Sequence, residues 1–240
     1  MIKVLLFGLT TLSSTFGQTQ ITVPAPNFPR VFVGKPEFST KVGNRSAGTA
    51  CLVRFEGNPQ IYLLTVRHLL GPSGGFPQLI SPPEVPSFVS AIRLLNIFGA
   101  GSKVYRVTGL SVPETLDHKA PLFNVAIFKT NDAFPSDAVA ATLNKPALGE
   151  TVWVVANVRT SSDQSLHSAK VANNGDRWLI AEFDEQGIVP NGASGAPVLN
   201  ATGKILGIYC THDNKEGKVR AFIIPSALFA QVIAQQTTVH

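Results

Sequence analysis

The sequence predicts an all-β protein built from short antiparallel strands. Only 15% of the residues are charged, and the 240-residue chain holds 20 glycines and 17 prolines. Short apolar runs recur between turn-forming residues. A helical protein would be richer in Lys and Glu, whereas tight turns between strands need glycine and proline. Because the strand-like runs do not alternate with helical patterns, they favour an antiparallel barrel or sandwich.

Residues 1–17 are predicted to be a signal peptide. Lys3 supplies a positive charge, an apolar stretch follows it, and small residues cluster just before Gln18. Gly8 and two threonines interrupt the apolar stretch, so it is too short and too polar to span a membrane. A disordered or buried N-terminus is the alternative. We therefore expect a secreted or periplasmic protein with no membrane association after signal removal.

Residues 18–35 begin with a proline-rich stretch and are predicted to form an extended lead-in. Strand-like runs follow at 50–55, 60–65, 91–97, 103–107, 125–129, 151–158, 178–183, 196–199, 204–209 and 219–224. A weaker apolar pattern at 131–150 separates two halves. A helix is predicted at 226–236, where Ser226 is a suitable N-cap and the following apolar stripe is expected to pack on the body of the protein.

Charge and metal-ligand patterns exclude several function classes. The net charge is +5, but the basic residues are scattered without a run of three, so we expect no nucleic-acid partner. The five histidines are isolated and Cys51 lies far from Cys210, so no metal site and no cofactor are predicted. In an exported protein the two cysteines could form one disulfide, and two buried free thiols fit the sequence equally well.

The segment at 187–200 contains the best candidate nucleophile. Ser194 is flanked by small residues just before a predicted strand. Glycine on either side allows backbone N–H groups to turn inward, so Gly192 and Ser194 are candidate oxyanion-hole donors. A glycine-rich β-turn is the structural alternative. An α/β-hydrolase elbow is disfavoured, because Ala196 replaces its last glycine and too little chain follows for the remaining acid and histidine.

Two further segments become informative when they are considered together with the Ser194 segment. His68 follows a predicted strand directly, and Asn124 begins another. Together, AGTACLV with LTVRH (47–53, 64–68), NVAIFK (124–129) and GASGAPVL (192–199) resemble the trypsin-like, chymotrypsin-fold serine proteases. The order of the histidine, the acid position and the serine is that of chymotrypsin. The tail VRAFIIPSAL (219–228) resembles the bacterial stress-protease branch, whose peptide-binding domain is expected to be missing here.

The resemblance implies a fold and an activity. It implies two antiparallel six-stranded β-barrels with a C-terminal helix, in a protease domain spanning 36–240. The first barrel is expected at about 36–130 and the second at about 147–225, with the active site between them. Ser194 would then be the nucleophile and His68 the base of a serine endopeptidase that acts on polypeptides. The oligomeric state is left open.

The sequence departs from the family pattern at the acid position, where Asn124 replaces an aspartate. An amide carries no charge to stabilise an imidazolium and can favour the wrong histidine tautomer. Three readings stay open: a slow enzyme, an enzyme that uses another acid such as Asp117, or an inactive homologue that binds a partner. A β-sandwich with a chance motif is a further alternative. Ala193 predicts no zymogen switch, and Ile188 at the specificity position favours small or apolar substrate side chains.

Overall fold

A computed structural model describes residues 23–110, 120–160 and 164–237. These residues form two closed antiparallel six-stranded β-barrels, as the family resemblance predicted. The predicted signal peptide at 1–17 and the alternative acid Asp117 lie outside the described residues. Among the residues described, no helix is long and apolar enough to cross a membrane.

The first barrel is closed by a pairing between its first and third strands, at Val33–Cys51 and Gly34–Ala50. Its strands follow the spatial order β1, β5, β6, β7, β4 and β3. A short strand β2 (Gly43–Ser46) continues β1 as a hairpin, and β8 (Val139–Ala140) pairs in parallel with β3. The barrel strands are β1 (Val33–Thr40), β3 (Ala50–Arg54), β4 (Ile61–Val66), β5 (Val89–Asn96), β6 (Ser102–Gly109) and β7 (Val125–Thr130).

The second barrel closes through β9 and β10, in the order β10, β11, β14, β13, β12 and β9. Its interior is filled mainly by small and β-branched side chains, together with Phe183 and Tyr209. Its strands are β9 (Thr151–Val155), β10 (Leu166–Asn174), β11 (Leu179–Phe183), β12 (Pro197–Leu199), β13 (Ile205–Lys215) and β14 (Lys218–Pro225).

Two strands of the barrels were not expected from the sequence. In β10 the inward positions are His167, Ala169 and Val171, which alternate with polar residues and produce only a weak apolar pattern. Strand β1 starts at Val33, inside the segment expected as lead-in, and contains a proline, which sequence patterns place outside strands. Both strands are held by their neighbours in the closed barrels, because pairing partners satisfy their backbone groups on both sides.

The C-terminal helix α2 (Ser226–Thr237) follows the second barrel and packs against residues of both barrels, and a short helix α1 (Val85–Phe88) precedes β5. Phe229, Val232 and Ile233 are buried in the same apolar cluster as the first-barrel strands. The ring of Phe229 lies 6.0 Å from that of Phe55 in an edge-on contact. The apolar stripe of this helix therefore packs on the body of the protein, as predicted.

Cys51 and Cys210 are both buried free thiols, so the disulfide alternative is not realised in this structure. Cys51 is part of β3 in the first barrel, whereas Cys210 belongs to β13 in the second. Burial raises the pKa of the Cys51 thiol above its usual range, which keeps it protonated and chemically inert.

Candidate active site

Adjacent strands bring His68 and Asn124 together. Strands β4 and β7 are antiparallel neighbours, and the last residue of β4, Val66, pairs with the first residue of β7, Val125. A 3₁₀ turn at Arg67–Leu70 carries His68 just beyond β4, and a turn at Pro121–Asn124 delivers Asn124 just before β7. Both side chains are therefore presented at the same end of the first barrel, although 56 residues separate them in sequence.

The side-chain amide of Asn124 is held by three hydrogen bonds. Its Oδ1 accepts from the backbone N–H of His68 at 3.0 Å. Its Nδ2 lies 3.1 Å from His68 Nδ1 and donates to the Sγ of Cys210 at 3.0 Å. The backbone N–H can only donate, so it fixes which end of the amide is the oxygen. Both amide protons and the amide oxygen then have partners.

This orientation determines the histidine tautomer. Because Nδ2 is a donor, His68 Nδ1 must accept, and the proton of the neutral ring is on Nε2. A base that receives a proton from a serine hydroxyl needs a free lone pair on Nε2 and a proton on Nδ1. The amide of Asn124 thus stabilises the resting imidazole in the tautomer that is less suited to proton abstraction.

A bulge in β13 places Cys210 beside this pair. The register with β14 shifts between Tyr209 and Thr211, which leaves Cys210 as the extra residue, and such bulges commonly re-aim a side chain next to a functional site. Burial raises the pKa of the Cys210 thiol to about 11, partly offset by the Asn124 hydrogen bond. The thiol is protonated at neutral pH, so it does not supply the charge that an aspartate would.

Ser194 comes from the second barrel, in the loop before β12. Gly195 N–H donates to the Tyr209 carbonyl at 2.8 Å and Tyr209 N–H donates to the Ala196 carbonyl at 2.8 Å, which anchors the loop to β13. The Ser194 hydroxyl donates to the Cys210 carbonyl oxygen in a long bond of 3.4 Å. That weak bond leaves the hydroxyl available to a substrate.

The loop before β12 also carries Gly192 and Ser194, the candidate oxyanion donors. The N–H groups of Gly192 and Ser194 donate to no protein acceptor among the described residues, whereas Ala193 N–H donates to the Pro190 carbonyl at 3.0 Å. Gly192 has φ +103°, a left-handed conformation that favours glycine and turns the peptide on its N-terminal side. These two donors are the ones that the sequence predicted for an oxyanion hole, and both residues line a cavity.

The cavity joins all the predicted site residues. Its volume is about 650 Å³, and among its lining residues are His68, Asn124, Gly192, Ser194, Trp178 and His212. His68 and Ser194 approach it from different barrels, as the family resemblance implied. Ile188, which was expected to influence specificity, is instead buried in the core of the second barrel. Among the described residues, no group of His, Cys, Asp and Glu side chains could hold a metal ion.

Arg67 is a buried cation beside the histidine that sequence reasoning did not single out. Its Nε donates to the Phe123 carbonyl at 2.8 Å and another guanidinium nitrogen donates to the Ile80 carbonyl at 2.6 Å. The guanidinium carbon lies 4.0 Å from the centre of the Phe123 ring. An arginine directly before His68 in an apolar strand was the available signal, but its burial depends on loops that are distant in sequence.

The surroundings of His68 disfavour its charged form. Burial lowers the pKa of His68 below its ordinary value of 6.5, and the nearby Arg67 charge lowers it further. Among the described residues, no carboxylate forms an ion pair with His68. The imidazole therefore stays neutral to a lower pH than a free histidine.

This pKa direction predicts the acid limb of the pH profile. If neutral His68 is the base, kcat/KM should fall with decreasing pH at a midpoint below 6.5, because the lowered pKa keeps the base deprotonated there. Peptide hydrolysis measured from pH 4 to 8 checks this, with an NMR titration of the His68 ring as an independent record. A midpoint at or above 6.5 in both measurements would contradict the prediction.

Comparisons with known proteins identify the family of this chain. The family model of the trypsin-like peptidase domain matches residues 48–208, which include His68, Asn124 and Ser194. No curated protein matches the chain.

Several solved structures share the fold. A serine endoprotease from Yersinia pestis is 19% identical with a TM-score of 0.56, over 86% of this chain and 62% of that chain. A thermostable serine protease from an extremophilic microorganism is 16% identical with a TM-score of 0.57, over 88% and 99% of the two chains. An HtrA-type protease solved with a tripeptide is 19% identical with a TM-score of 0.52, over 86% and 60%. This chain thus spans less than two thirds of the first and third of these proteins.

The structural similarity to these proteins shows a common fold. The family model covers more than half of the chain, and the matched range includes His68, Asn124, Gly192 and Ser194. With its two closed barrels, this chain therefore belongs to the trypsin-like peptidase family and has the fold of a trypsin-like serine protease.

Proposed function

We propose that this protein is a secreted serine endopeptidase that hydrolyses polypeptides, with Ser194 as nucleophile and His68 as base. The observation that carries the proposal concerns the N–H groups of Gly192 and Ser194. They have no acceptor among the described residues, and both residues line the same cavity as the nucleophile and the base. Backbone donors of this kind stabilise the oxyanion of a tetrahedral intermediate. A glycine-rich β-turn alone has no need of such an arrangement.

Each step of the reaction uses groups of this chain. Ser194 Oγ attacks the carbonyl carbon of the substrate while His68 Nε2 takes its proton, and the carbonyl oxygen becomes an anion bound by the two N–H groups. His68 then gives the proton to the leaving amine, and an acyl-enzyme remains on Ser194. Water, deprotonated by His68, attacks the acyl carbon. His68 then gives this proton to Ser194 Oγ as the acyl–oxygen bond breaks and the new carboxyl terminus leaves.

Asn124 makes the first of these steps slow. The imidazolium would carry a proton on Nδ1 that faces the Nδ2 donor of Asn124, and no carboxylate among the described residues offsets its charge. Proton transfer therefore requires the amide or the ring to reorient. Cysteine peptidases tolerate an asparagine in this position because a thiolate needs less assistance than a serine hydroxyl.

Labelling by a fluorophosphonate tests the proposal. We expect Ser194 Oγ to attack phosphorus and displace fluoride, so that the purified chain from Gln18 onward becomes covalently labelled. Ser194→Ala should abolish labelling and His68→Ala should reduce it strongly. Ser90→Ala is the matched control, because Ser90 is an exposed serine on β5 whose hydroxyl contacts only the first-barrel backbone in the described structure. Absence of labelling in folded protein would refute the peptidase proposal.

A second candidate is a homologue that binds a polypeptide in the cleft without cutting it. The fully bonded amide of Asn124 favours it, since that amide holds His68 in the unfavourable tautomer. This candidate requires peptide binding that is unaffected by Ser194→Ala and no turnover of any peptide library. Labelling of Ser194 by the fluorophosphonate would exclude it.

Secretion is supported by the signal-peptide pattern of residues 1–17. N-terminal sequencing of the exported protein checks it, with Gln18 expected as the first residue.

A further inference from the structure

We propose that Thr49 is a positioning residue that sets the oxyanion loop of the second barrel from the first barrel. This inference rests on the proposed peptidase function. Thr49 immediately precedes β3 and is 2% exposed. Its hydroxyl donates to the Gly192 carbonyl oxygen at 2.8 Å, and its backbone N–H donates to the Ser194 carbonyl oxygen at 2.8 Å. One residue of the first barrel thus holds the backbone on both sides of Ala193.

The hydroxyl bond controls a peptide group next to the oxyanion donors. The carbonyl of Gly192 and the N–H of Ala193 belong to one planar peptide. The carbonyl end is held by Thr49, and the N–H end is held by the Pro190 carbonyl at 3.0 Å. With both ends bonded, this peptide resists rotation, and the adjacent N–H groups of Gly192 and Ser194 keep their directions.

Thr65 holds the backbone carbonyl of Thr49 in place. Thr65 is fully buried in β4, and its hydroxyl donates to the Thr49 carbonyl oxygen at 2.7 Å. A Cβ atom on Gly195 would lie 2.1 Å from that carbonyl oxygen and 2.3 Å from the Thr65 hydroxyl oxygen. The nucleophile loop therefore packs directly against a pair of buried threonines, and β4, which carries Thr65, also leads to His68.

These contacts fix the position of the oxyanion hole relative to the base His68. His68 and the Thr49–Thr65 pair belong to the first barrel, and Ser194 with its N–H donors belongs to the second. A catalytic group displaced by about 1 Å loses on the order of 10²-fold in rate. The Thr49 hydroxyl keeps the first-barrel and second-barrel parts of the site in their correct relative positions, although it does not touch the substrate.

The test removes one hydroxyl and keeps the shape of the side chain. We expect Thr49→Val to reduce kcat and the rate of fluorophosphonate labelling by about 10-fold to 100-fold, with little change in KM, because the oxyanion donors are needed mainly in the transition state. Thr130→Val is the matched control. Thr130 is a buried first-barrel threonine whose hydroxyl donates to the Ile61 carbonyl at 3.0 Å, and it does not line the cavity. Both variants should lose similar thermal stability.

A second pair of variants provides the same test if Thr49→Val does not fold. Thr49→Ser keeps the hydroxyl and Thr49→Ala removes it, so serine should restore most of the rate and alanine should not. Deuterium uptake by residues 190–196 gives a reading that does not depend on activity. We expect faster uptake in Thr49→Val and Thr49→Ala than in Thr49→Ser or Thr130→Val.

The outcomes separate the two proposals. If the unmodified chain fails to label, the peptidase function falls, and faster uptake at 190–196 on loss of the Thr49 hydroxyl still supports the positioning role. If the unmodified chain labels but Thr49→Val and Thr49→Ala label at its rate, the positioning role is overturned while the function stands. Unchanged deuterium uptake at 190–196 in both Thr49→Val and Thr49→Ala would also overturn the positioning role.

Discussion

Asn124→Asp is expected to raise kcat/KM for peptide hydrolysis by about 10²-fold to 10⁴-fold, in reverse of the loss that the opposite change causes in enzymes of this fold. An aspartate at this position accepts from the His68 backbone N–H and from His68 Nδ1–H. The proton then resides on Nδ1, the lone pair of Nε2 is free for the Ser194 proton, and the negative charge stabilises the imidazolium. Initial rates on a peptide library check this result. The acid limb of the kcat/KM profile should also move to higher pH.

Asn58→Asp is the matched control for the added charge. Asn58 also uses both ends of its amide, donating to the Tyr62 hydroxyl at 3.1 Å and accepting from Gln60 N–H at 2.9 Å, but it lies away from the cavity. Its replacement adds the same negative charge without touching His68, so kcat/KM should stay within about twofold. If Asn124→Asp gives no gain over this control, either another group serves as the acid or the chain does not turn over substrate.

Gly195→Ala is expected to destabilise the protein by about 2–5 kcal/mol. Gly195 has φ +88°, and its added Cβ would lie 2.1 Å from the Thr49 carbonyl oxygen. A left-handed conformation costs an alanine roughly 1–2 kcal/mol, and a backbone clash in a packed interior adds about 1–3 kcal/mol. For a protein of this size the melting temperature should fall by about 4–20 °C, measurable by calorimetry or circular dichroism.

Gly57→Ala separates the conformational cost from the clash. Gly57 has φ +74°, but nothing lies within 4 Å of the position of its Cβ. Its substitution should cost only the roughly 1–2 kcal/mol of the left-handed conformation. Equal losses in the two variants would contradict the close packing between the nucleophile loop and the Thr49–Thr65 pair.

The parts of the fold with strong local patterns were predictable. The apolar runs that became β3, β4, β7 and β9 are almost fully buried, so their sequence alone indicates a strand. Strand β10 was missed because its three buried positions, His167, Ala169 and Val171, give only a weak apolar pattern, and β1 was missed because it contains Pro36. Both owe their conformation to pairing on two sides within a closed barrel, which the pattern of a single segment does not record.

For the site, the sequence by itself determined the residue types and their order: His68, then Asn124, then Ser194 with Gly192. Those are chemical identities, and they need no geometry to be recognised. The tertiary structure decided what these residues contact. The β13 bulge brings Cys210 to Asn124, the His68 backbone N–H sets the direction of the Asn124 amide, and Thr49 crosses from one barrel to the loop of the other. These contacts join segments that are far apart in sequence, so only the closure of both barrels determines them.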